Sequence, residues 1–268
     1  MIKASGNPND LIMQLKAEKK NFEVRRTTKS TLIVFDNFKY MFADSHFKSE
    51  HLNLFQKIKA EVHGNIESKK LTVPAYQQSK YFDTGQFKPI GLGEFLKFEN
   101  VLEFDVNKAY YQALKKFGYI SQQFFDKCVG LPKNIRLALV GTLATQKTIF
   151  FYKEGELDSY EIKKDEILRR VFFQLVEFID KVLDYFSKLA GDNFLFYWVD
   201  GIYLKNYERA EYHRDLISYE YDLDFSTERL KNLMVFNKGD YQSQIVIKKM
   251  DNTLKQFNLN NIFVTEQI

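Results

Sequence analysis

The segment FLFYWVDGIYLK, residues 194–205, constrains the fold of this chain more than any other. Apolar and aromatic residues flank the Asp200-Gly201 dipeptide on both sides, and Asp-Gly between two such runs is a strong signal for a tight β-hairpin turn. The sequence therefore predicts a hairpin that turns at Asp200-Gly201. A carboxylate in such apolar surroundings is costly unless a partner or a metal ion neutralises it, so Asp200 requires a second group elsewhere in the chain.

Composition narrows the class of protein. The 268 residues include one cysteine, Cys128, so we expect neither an intrachain disulfide nor a cysteine-based zinc site, which fits a reducing compartment. The N-terminus lacks the apolar stretch of a signal peptide, and charged residues within 167–186 exclude a membrane span there. We expect a cytoplasmic protein of a bacterium or of a phage-infected cell. The net charge of +4 permits a nucleic-acid partner without requiring one.

The rest of the chain predicts a mixture of helices and strands. Patterns typical of helices occupy residues 9–20, 51–64 (ending at Gly64), 108–118, 133–146 and 164–190. Patterns typical of strands occupy 21–28, 30–38, 39–47, 100–107, 148–155, 216–226 and 232–249. A Pro- and Gly-rich segment over 71–93 joins the two portions of the chain. This order predicts an α+β fold, with an antiparallel sheet, helices packed on one of its faces, and an additional N-terminal αβ portion.

A second carboxylate, Asp105, ends the apolar strand predicted over 100–107. If this strand lies beside the hairpin in one sheet, Asp105 and Asp200 converge at one edge. Two such carboxylates can hold a pair of divalent ions for in-line phosphoryl transfer. Oxygen ligands suit Mg²⁺ or Mn²⁺, and substrate phosphates supply the remaining ligands. An aspartate at a strand end or in a turn is also an ordinary turn residue, so spacing alone leaves both interpretations open.

The residues around both carboxylates resemble motifs of the family B DNA polymerases. F-D-V-N-K-A-Y-Y, residues 104–111, is similar to motif A, D-x-x-S-L-Y-P. The resemblance places Asp105 at the metal-binding aspartate and Tyr110 at the tyrosine beneath the nucleotide sugar, although Tyr110 also suits a plain core position. Y-W-V-D-G-I-Y-L, residues 197–204, is similar to motif C, Y-x-D-T-D-S-h-Y, and places Asp200 at its second, catalytic aspartate.

Two further segments follow the order of that family. I-R-L-A-L-V-G-T-L-A-T, residues 135–145, resembles motif B, K-x-x-x-N-S-x-Y-G, and has Arg136 in place of the lysine that meets the incoming triphosphate. N-L-M-V-F-N-K-G-D-Y-Q, residues 232–242, resembles the Lys-x-Tyr element that grips the primer end, with Lys238 and Tyr241 as the candidates. Arg136 also suits a solvated helix surface, and K-G-D-Y also suits an ordinary β-turn.

The resemblance implies a metal-dependent DNA polymerase that acts on a DNA primer-template and dNTPs, with other replication proteins as further candidate partners. Two ions, Mg²⁺ or Mn²⁺, would be held by Asp105, Asp200 and the backbone carbonyl of Val106. Lys108, beside this site, would either attract phosphate or repel the metal ions. The enzyme would be of a minimal, phage or mobile-element type.

The resemblance also implies a division of the chain. Residues 95–250 would form a polymerase palm, with a short fingers insertion at about 112–146. Residues 251–268 would form a tail or vestigial thumb, and residues 1–94 an αβ region of unknown role. Residues 1–94 would be too short to include a proofreading exonuclease domain.

Departures from the family pattern keep alternatives open. Trp198 replaces the first aspartate of motif C, and motif B lacks its asparagine and tyrosine. One alternative is a catalytically inactive palm that binds nucleic acid or assembles a replisome. Another is a reverse-transcriptase-like enzyme, because D-V-N-K-A-Y also satisfies D-x-x-x-x-[FY], whereas W-V-D-G offers one of the two adjacent aspartates which that family requires. Primase-like and protein-primed initiation both remain open.

Overall fold

A computed structural model of the chain divides into two compact units. The first comprises Met1–Tyr76 and Phe117–Gln174, and the second comprises Gln77–Lys116 and Leu175–Ile268. Each unit is therefore assembled from segments that are distant in the sequence. The structure describes residues 2–27, 30–43, 49–75, 82–84, 92–239 and 242–260.

Helices and strands alternate along the chain, which confirms the predicted mixed α+β class. The helices are α1 (Pro8–Ala17), α2 (Ser49–Lys69), α3 (Ala109–Lys116), α4 (Gln122–Val129), α5 (Lys133–Gly141), α6 (Glu166–Ala190) and α7 (Ala210–Tyr221). The strands are β1 (Ile2–Lys3), β2 (Phe22–Arg26), β3 (Ser30–Phe35), β4 (Phe38–Ala43), β5 (Phe82–Thr84), β6 (Phe95–Val106), β7 (Gln146–Lys153), β8 (Glu156–Lys164), β9 (Phe194–Trp198), β10 (Gly201–Lys205), β11 (Phe225–Gly239), β12 (Gln242–Lys249) and β13 (Leu254–Asn260). None of the described helices is both long and apolar enough to cross a membrane.

The first unit is built on a six-stranded sheet with the order β1-β4-β3-β2-β7-β8. The β1–β4 pair is parallel and the other pairs are antiparallel. Helix α1 begins at Pro8 because Asn7 accepts a hydrogen bond from the Asn9 amide at 3.0 Å and caps the helix. Its buried Ile12 and Leu15 pack with β2 and β3 to form an apolar core. Strands β7 and β8, from the middle of the chain, thus complete a sheet begun at the N-terminus.

The second unit is built on a seven-stranded antiparallel sheet with the order β13-β12-β11-β6-β10-β9-β5. Strand β6 lies near its centre, between β10 and β11. Leu102, Phe104 and Val106 alternate along β6 and are buried in one core with residues of α6 and α7. Glu103 and Asp105 lie between them in the sequence and therefore on the opposite face. Helices cover one face of this curled sheet, as predicted, and the polar residues of β6 lie on the other.

Two predicted elements are wrong in extent or type. Helix α2 passes through Gly64, where the prediction ended it, and continues to Lys69. A glycine inside a helix costs only about 1 kcal/mol, and Asn65 next to it donates hydrogen bonds to the Glu61 and Tyr119 carbonyl oxygens at 3.0 and 3.2 Å. The helix ends where Lys70 takes a left-handed conformation, with φ of 53°.

Residues 216–226 were predicted to form a strand, whereas most of them belong to α7 or to the turn that follows it. Ile217, Tyr219 and Tyr221 alternate as in a strand, which explains the wrong prediction. In the helix Ile217 is fully buried, Tyr219 is 89% exposed, and Tyr221 packs against aromatic rings of α6. Helix α7 ends at Asp222, which has φ of 50°. Helix α4 and the largely exposed strand β8 were not predicted.

A buried glutamine fixes the end of β6 to the start of β11. The side-chain nitrogen of Gln112 donates to the backbone carbonyl oxygens of Asn107 and Asp224. Its side-chain oxygen accepts a hydrogen bond from the backbone amide of Asp224 at 2.9 Å. The Asn107 amide also donates to the Asp224 carbonyl at 2.8 Å. Because Gln112 is almost fully buried, these backbone groups have no easy access to water. Gln112 therefore holds in place the turn that follows Asp105.

We expect Gln112→Leu to lower the free energy of unfolding by about 2 kcal/mol, because a leucine of similar size leaves buried backbone groups without their partner. The measurement is urea denaturation followed by circular dichroism. Gln256→Leu is the matched control, since Gln256 is exposed on β13 of the same unit, and a surface substitution changes stability by less than about 0.5 kcal/mol. Equal stability of the two variants would contradict the role assigned to Gln112.

Candidate functional site

The backbones of Asp105 and Asp200 meet at one end of the sheet of the second unit. Asp105 is the penultimate residue of β6 and pairs with Gly201, the residue that follows Asp200. The Val106 amide donates a hydrogen bond to the Asp200 carbonyl oxygen at 2.8 Å, one residue beyond that pair. Both aspartates are half-buried. Two carboxylate-bearing residues separated by 95 positions in the chain are therefore neighbours across a strand pair.

The hairpin turn lies one residue earlier than the sequence predicted. Trp198 pairs with Gly201, so Val199 and Asp200 form the two-residue loop and Gly201 is the first residue of β10. Val199 has φ of 59°, a conformation that is strained for a β-branched residue. Primed hairpin turns require a positive φ at the first loop position because their twist matches that of the strands. The turn therefore keeps the strand pairing at the expense of local strain.

Gly201 has no side chain beside the carboxylates of Asp105 and Glu103. A Cβ atom at this position would lie 3.4 Å from Asp105 Oδ1 and 3.8 Å from Glu103 Oε1. Glu103 and Asp105 alternate with core residues on β6, so both carboxylates point to the face opposite the helices. The missing side chain of Gly201 leaves a shared space beside two carboxylates.

Glu103 belongs to a buried network with Tyr203 and Lys255. The Tyr203 hydroxyl donates to Glu103 Oε1 at 2.6 Å, and the Lys255 ammonium donates to the same oxygen and to the Tyr203 oxygen, both at 2.8 Å. Glu103 is 5% exposed, and its other oxygen, Oε2, has no hydrogen-bond partner among the described residues. A buried carboxylate usually has both oxygens satisfied, so Glu103 Oε2 is the one acceptor of this network that remains open.

The electrostatics of Tyr203 show that negative charge is concentrated here. Burial is the largest cause that raises the pKa of Tyr203 well above its ordinary value, and the charge and hydrogen bond of Glu103 raise it further. The charges of Asp105 and Asp200 also contribute to the raised pKa. Three carboxylates thus act on one buried hydroxyl, and the Lys255 ammonium is placed among them as a positive partner for Glu103.

The donor set fits a divalent ion that is shared with a substrate. Within the described residues no group of three or more His, Cys, Asp or Glu side chains is arranged to hold a metal ion. Mg²⁺ rarely requires such a cage, because it is commonly bound through one or two carboxylates together with substrate phosphates and water. Asp105 and Asp200 supply that number of carboxylates. The Val106 carbonyl as a third ligand stays a prediction.

Trp198, in the position of the missing motif C aspartate, is part of an apolar cluster. It is half-buried, its ring centroid lies 5.9 Å from that of Phe257, and it packs beside the core formed by β9, β10, β11 and β12. An indole has no acceptor atom for a metal ion. Asp200 is therefore the one residue with a carboxylate within the segment 198–201.

Tyr110 and Lys108 lie where β6 passes into α3. Tyr110 is half-buried in the first turn of α3 and packs against the core beneath the sheet. Lys108 is exposed with φ of 53°, and its carbonyl accepts the Tyr111 and Gln112 amides at 2.8 and 3.1 Å, so its backbone starts the helix. The contacts of both side chains with a nucleotide stay predictions.

Three predicted residues remain, namely Arg136, Lys238 and Tyr241. Arg136 lies on α5 in the first unit, where its guanidinium donates to the Val129 carbonyl oxygen at 2.9 Å. Lys238 lies near the end of β11, where the structure describes the backbone but not this side chain. Tyr241 lies outside the described residues. Their roles toward the triphosphate and the primer stay predictions.

Sequence reasoning missed Glu103, Tyr203 and Lys255. The first two carry a readable signal, because Glu103 is two positions from Asp105 and Tyr203 is two positions from Gly201, and alternate residues of a strand share a face. Lys255 carries no such signal, since it reaches the site only because β13 pairs with β12.

Comparisons with known proteins add little to this geometry. No family model matches the sequence, and no curated protein matches it. Among solved structures, the family B DNA polymerase from the hyperthermophilic archaeon Pyrobaculum calidifontis matches with a TM-score of 0.40 and 8% sequence identity. The match covers 76% of this chain and 32% of that polymerase chain. A similarity at this level supports no argument about fold or function.

We expect Val199→Gly to be more stable than Val199→Ala by about 1 kcal/mol. Both changes remove the valine side chain, but only glycine adopts a positive φ without a steric cost. In an ordinary strand or helix the order is reversed, because glycine loses more conformational entropy than alanine. Urea denaturation of the two variants in one buffer measures the difference, and alanine equal to or above glycine would contradict a strained turn at Val199.

We expect Tyr203→Phe to destabilise the protein by about 2 kcal/mol at neutral pH, because Glu103 loses a buried donor. The pKa of Tyr203 is raised on folding, so its contribution is fully present below the unfolded value of about 10 and is lost as pH rises above it. The variant should therefore lose stability less steeply above pH ~10, by about 1.4 kcal/mol per pH unit. Denaturation across the alkaline range measures both effects. Equal slopes of stability against pH for wild type and variant would contradict a raised pKa of Tyr203.

Proposed function

We propose that this chain catalyses metal-dependent, template-directed nucleotidyl transfer, as a DNA polymerase. The observation that carries the proposal is the pairing of Asp105 with Gly201 and the hydrogen bond from the Val106 amide to the Asp200 carbonyl. It makes neighbours of the backbones of two residues that the motif resemblance marks as metal ligands. The proposed substrates are a DNA primer-template and dNTPs.

The proposed reaction joins a primer 3′-hydroxyl to the α-phosphorus of a dNTP and releases pyrophosphate. Asp105 and Asp200, at the end of the sheet, would hold a pair of Mg²⁺ or Mn²⁺ ions, and the absent side chain of Gly201 leaves space beside Asp105. Such ions would supply activation of the attacking oxygen and charge neutralisation of the leaving pyrophosphate. The protein itself needs to supply little more than position and charge, because nucleotidyl transfer requires no covalent step on a side chain.

The buried network supports the position of Asp105. Strand β6 carries Glu103 and Asp105 on the same face, and the bonds of Glu103 to Tyr203 and Lys255 tie this part of β6 to β10 and to β13. Gln112 fixes the chain on the other side of Asp105. We therefore assign these residues to positioning and not to contact with substrate. Tyr110 beneath the sugar, and Lys238 and Tyr241 at the primer, complete the proposed polymerase site as motif-based assignments.

A second candidate function is a catalytically inactive palm that binds nucleic acid. Trp198 favours it, because an apolar ring takes the position of an aspartate found in the active family pattern. The two functions differ in one respect that can be measured, namely metal-dependent turnover.

We expect the wild-type protein to extend a labelled DNA primer on a template with dNTPs and Mg²⁺ or Mn²⁺, and Asp105→Asn and Asp200→Asn each to reduce the rate at least a hundredfold. Amide oxygens keep the shape of the side chain but not the charge that holds the ions. Asp192→Asn is the matched control, because Asp192 is exposed in the turn before β9 and accepts a hydrogen bond from the Lys205 ammonium through its backbone carbonyl.

Loss of extension in both site variants, with the control at wild-type rate, would support the polymerase. Extension that persists in either site variant would overturn the assignment of the carboxylates. An absence of extension by every protein, combined with DNA binding at low salt, would favour the inactive palm. An RNA template in place of DNA tests the reverse-transcriptase-like alternative in the same assay.

A further inference from the structure

A second site is formed within the first unit by a cavity of about 710 Å³. Helix α2, strands β7 and β8 and the start of α6 supply its charged lining. These side chains are Lys59, His63, Lys147, Lys163, Lys164, Asp165 and Glu166. Cavities of roughly 300–1,000 Å³ are typical of sites for small ligands. Positive side chains outnumber negative ones around this cavity.

Most of the charges at the cavity are already neutralised by a neighbour. Lys163 pairs with Glu161 at 2.8 Å, and Lys164 pairs with Glu166 at 2.6 Å. His63 and Asp165 are bonded at 2.7 Å, and the other oxygen of Asp165 accepts the Leu168 amide at 3.0 Å and caps α6. These groups therefore form a framework with little net charge left for a ligand.

Lys59 and Lys147 also line the cavity and belong to none of these pairs. Neither Lys59 nor Lys147 has a hydrogen bond or an ion pair with any residue in the part of the chain that the structure describes, although both line the cavity and both are half-buried. Partial removal of a lysine ammonium from water costs free energy when no partner compensates it. The two ammonium groups, one from α2 and one from β7, thus leave positive charge at the cavity for a ligand to neutralise.

The surroundings increase the cost of leaving these charges unpaired. Burial is the main cause that lowers the pKa of Lys59, with Asp165 acting in the opposite direction. Burial also lowers the pKa of Lys147, and the positive charges of Arg25 and Lys163 lower it further, whereas the charges of Glu23 and Glu161 act in the opposite direction. Arg25 lies on β2 next to β7, where it is bonded to Glu23. A bound anion would relieve both the desolvation and the repulsion.

We propose that this cavity binds the phosphate group of a nucleotide-sized ligand, with Lys59 and Lys147 as the two cationic contacts. A phosphate carries up to two negative charges and several acceptor oxygens, which matches two ammonium donors that line one cavity. Gln56 and Gln146 also line the cavity and bring amide donors. The phosphate belongs either to a free nucleotide or to a single nucleic-acid strand, and the experiment distinguishes these two sources.

The inference does not depend on the proposed polymerase activity. All residues of this cavity belong to the first unit, whereas Asp105 and Asp200 belong to the second. Binding here requires no divalent ion, because the lysines supply the charge. Measurements in EDTA therefore isolate the lysine site from any metal-dependent site.

The test measures binding to the full-length chain in EDTA at low ionic strength, with pyrophosphate and dTTP by calorimetry and with a fluorescent oligothymidylate by anisotropy. We expect Lys59→Gln and Lys147→Gln each to weaken binding about tenfold, because each removes a charge-assisted contact. Lys147→Arg should retain binding, since it keeps the charge. Lys57→Gln, on α2 but lining a different cavity, and Lys153→Gln, exposed at the end of β7, are the matched controls and should bind as wild type.

Binding of pyrophosphate and dTTP that depends on both lysines would establish a nucleotide site. Lysine-dependent binding of the oligonucleotide alone would establish a strand contact through its phosphates. The proposal is overturned if none of the three probes binds, or if binding is the same in the two glutamine variants as in the Lys57 and Lys153 controls. Thermal unfolding of every variant verifies that a loss of binding is not a loss of folded protein.

Discussion

The pairing of β6 with β10 is the constraint on which the second unit depends. It places Asp105 opposite Gly201, and it aligns the Val106 amide with the Asp200 carbonyl at 2.8 Å. A shift of one residue in this register would exchange the two faces of β6, since neighbouring side chains point in opposite directions. Phe104 and Val106 would then leave the core that they form with α6 and α7, and Glu103 and Asp105 would enter it. The apolar core and the polar site are thus fixed by the same register.

Concentrating carboxylates at one place has a physical cost, and the structure offsets it in two ways. Lys255 and the Tyr203 hydroxyl neutralise and solvate one oxygen of Glu103 from inside the protein. Asp105 and Asp200 are only half-buried, so water or cations can reach them. Glu103 is therefore paired with a lysine inside the protein, whereas the two aspartates are accessible to ions that arrive with a substrate. This difference explains why Glu103 is assigned to positioning, whereas the two aspartates are assigned to the ions.

The two units differ in the sign of the charge at their sites. In the second unit, three carboxylates lie beside the pair formed by β6 and β10, and Lys255 pairs with one of them. In the first unit, positive charge accumulates around a cavity, and two half-buried lysines have no partner among the described residues. Phosphate chemistry is the common factor, since phosphates bind both to lysines and to carboxylate-held cations. A chain of modest net charge can therefore present two local sites of opposite sign, which the overall value of +4 does not reveal.

The sequence by itself determined the fold class, the long helix α6, the strand that ends at Asp105 and the hairpin around Asp200, because each of these rests on a local pattern of apolar spacing. It did not determine the residue at which the turn occurs, since pairing with β6 selected Val199-Asp200 over the Asp-Gly dipeptide. It misassigned residues 216–226, where the alternation of a strand coincides with one face of α7. Only the tertiary structure brought Lys255 to Glu103, and only the tertiary structure placed β7 and β8 beside β2. These contacts join residues that are far apart in the chain, and they are decided by burial and sheet pairing, which no local pattern records.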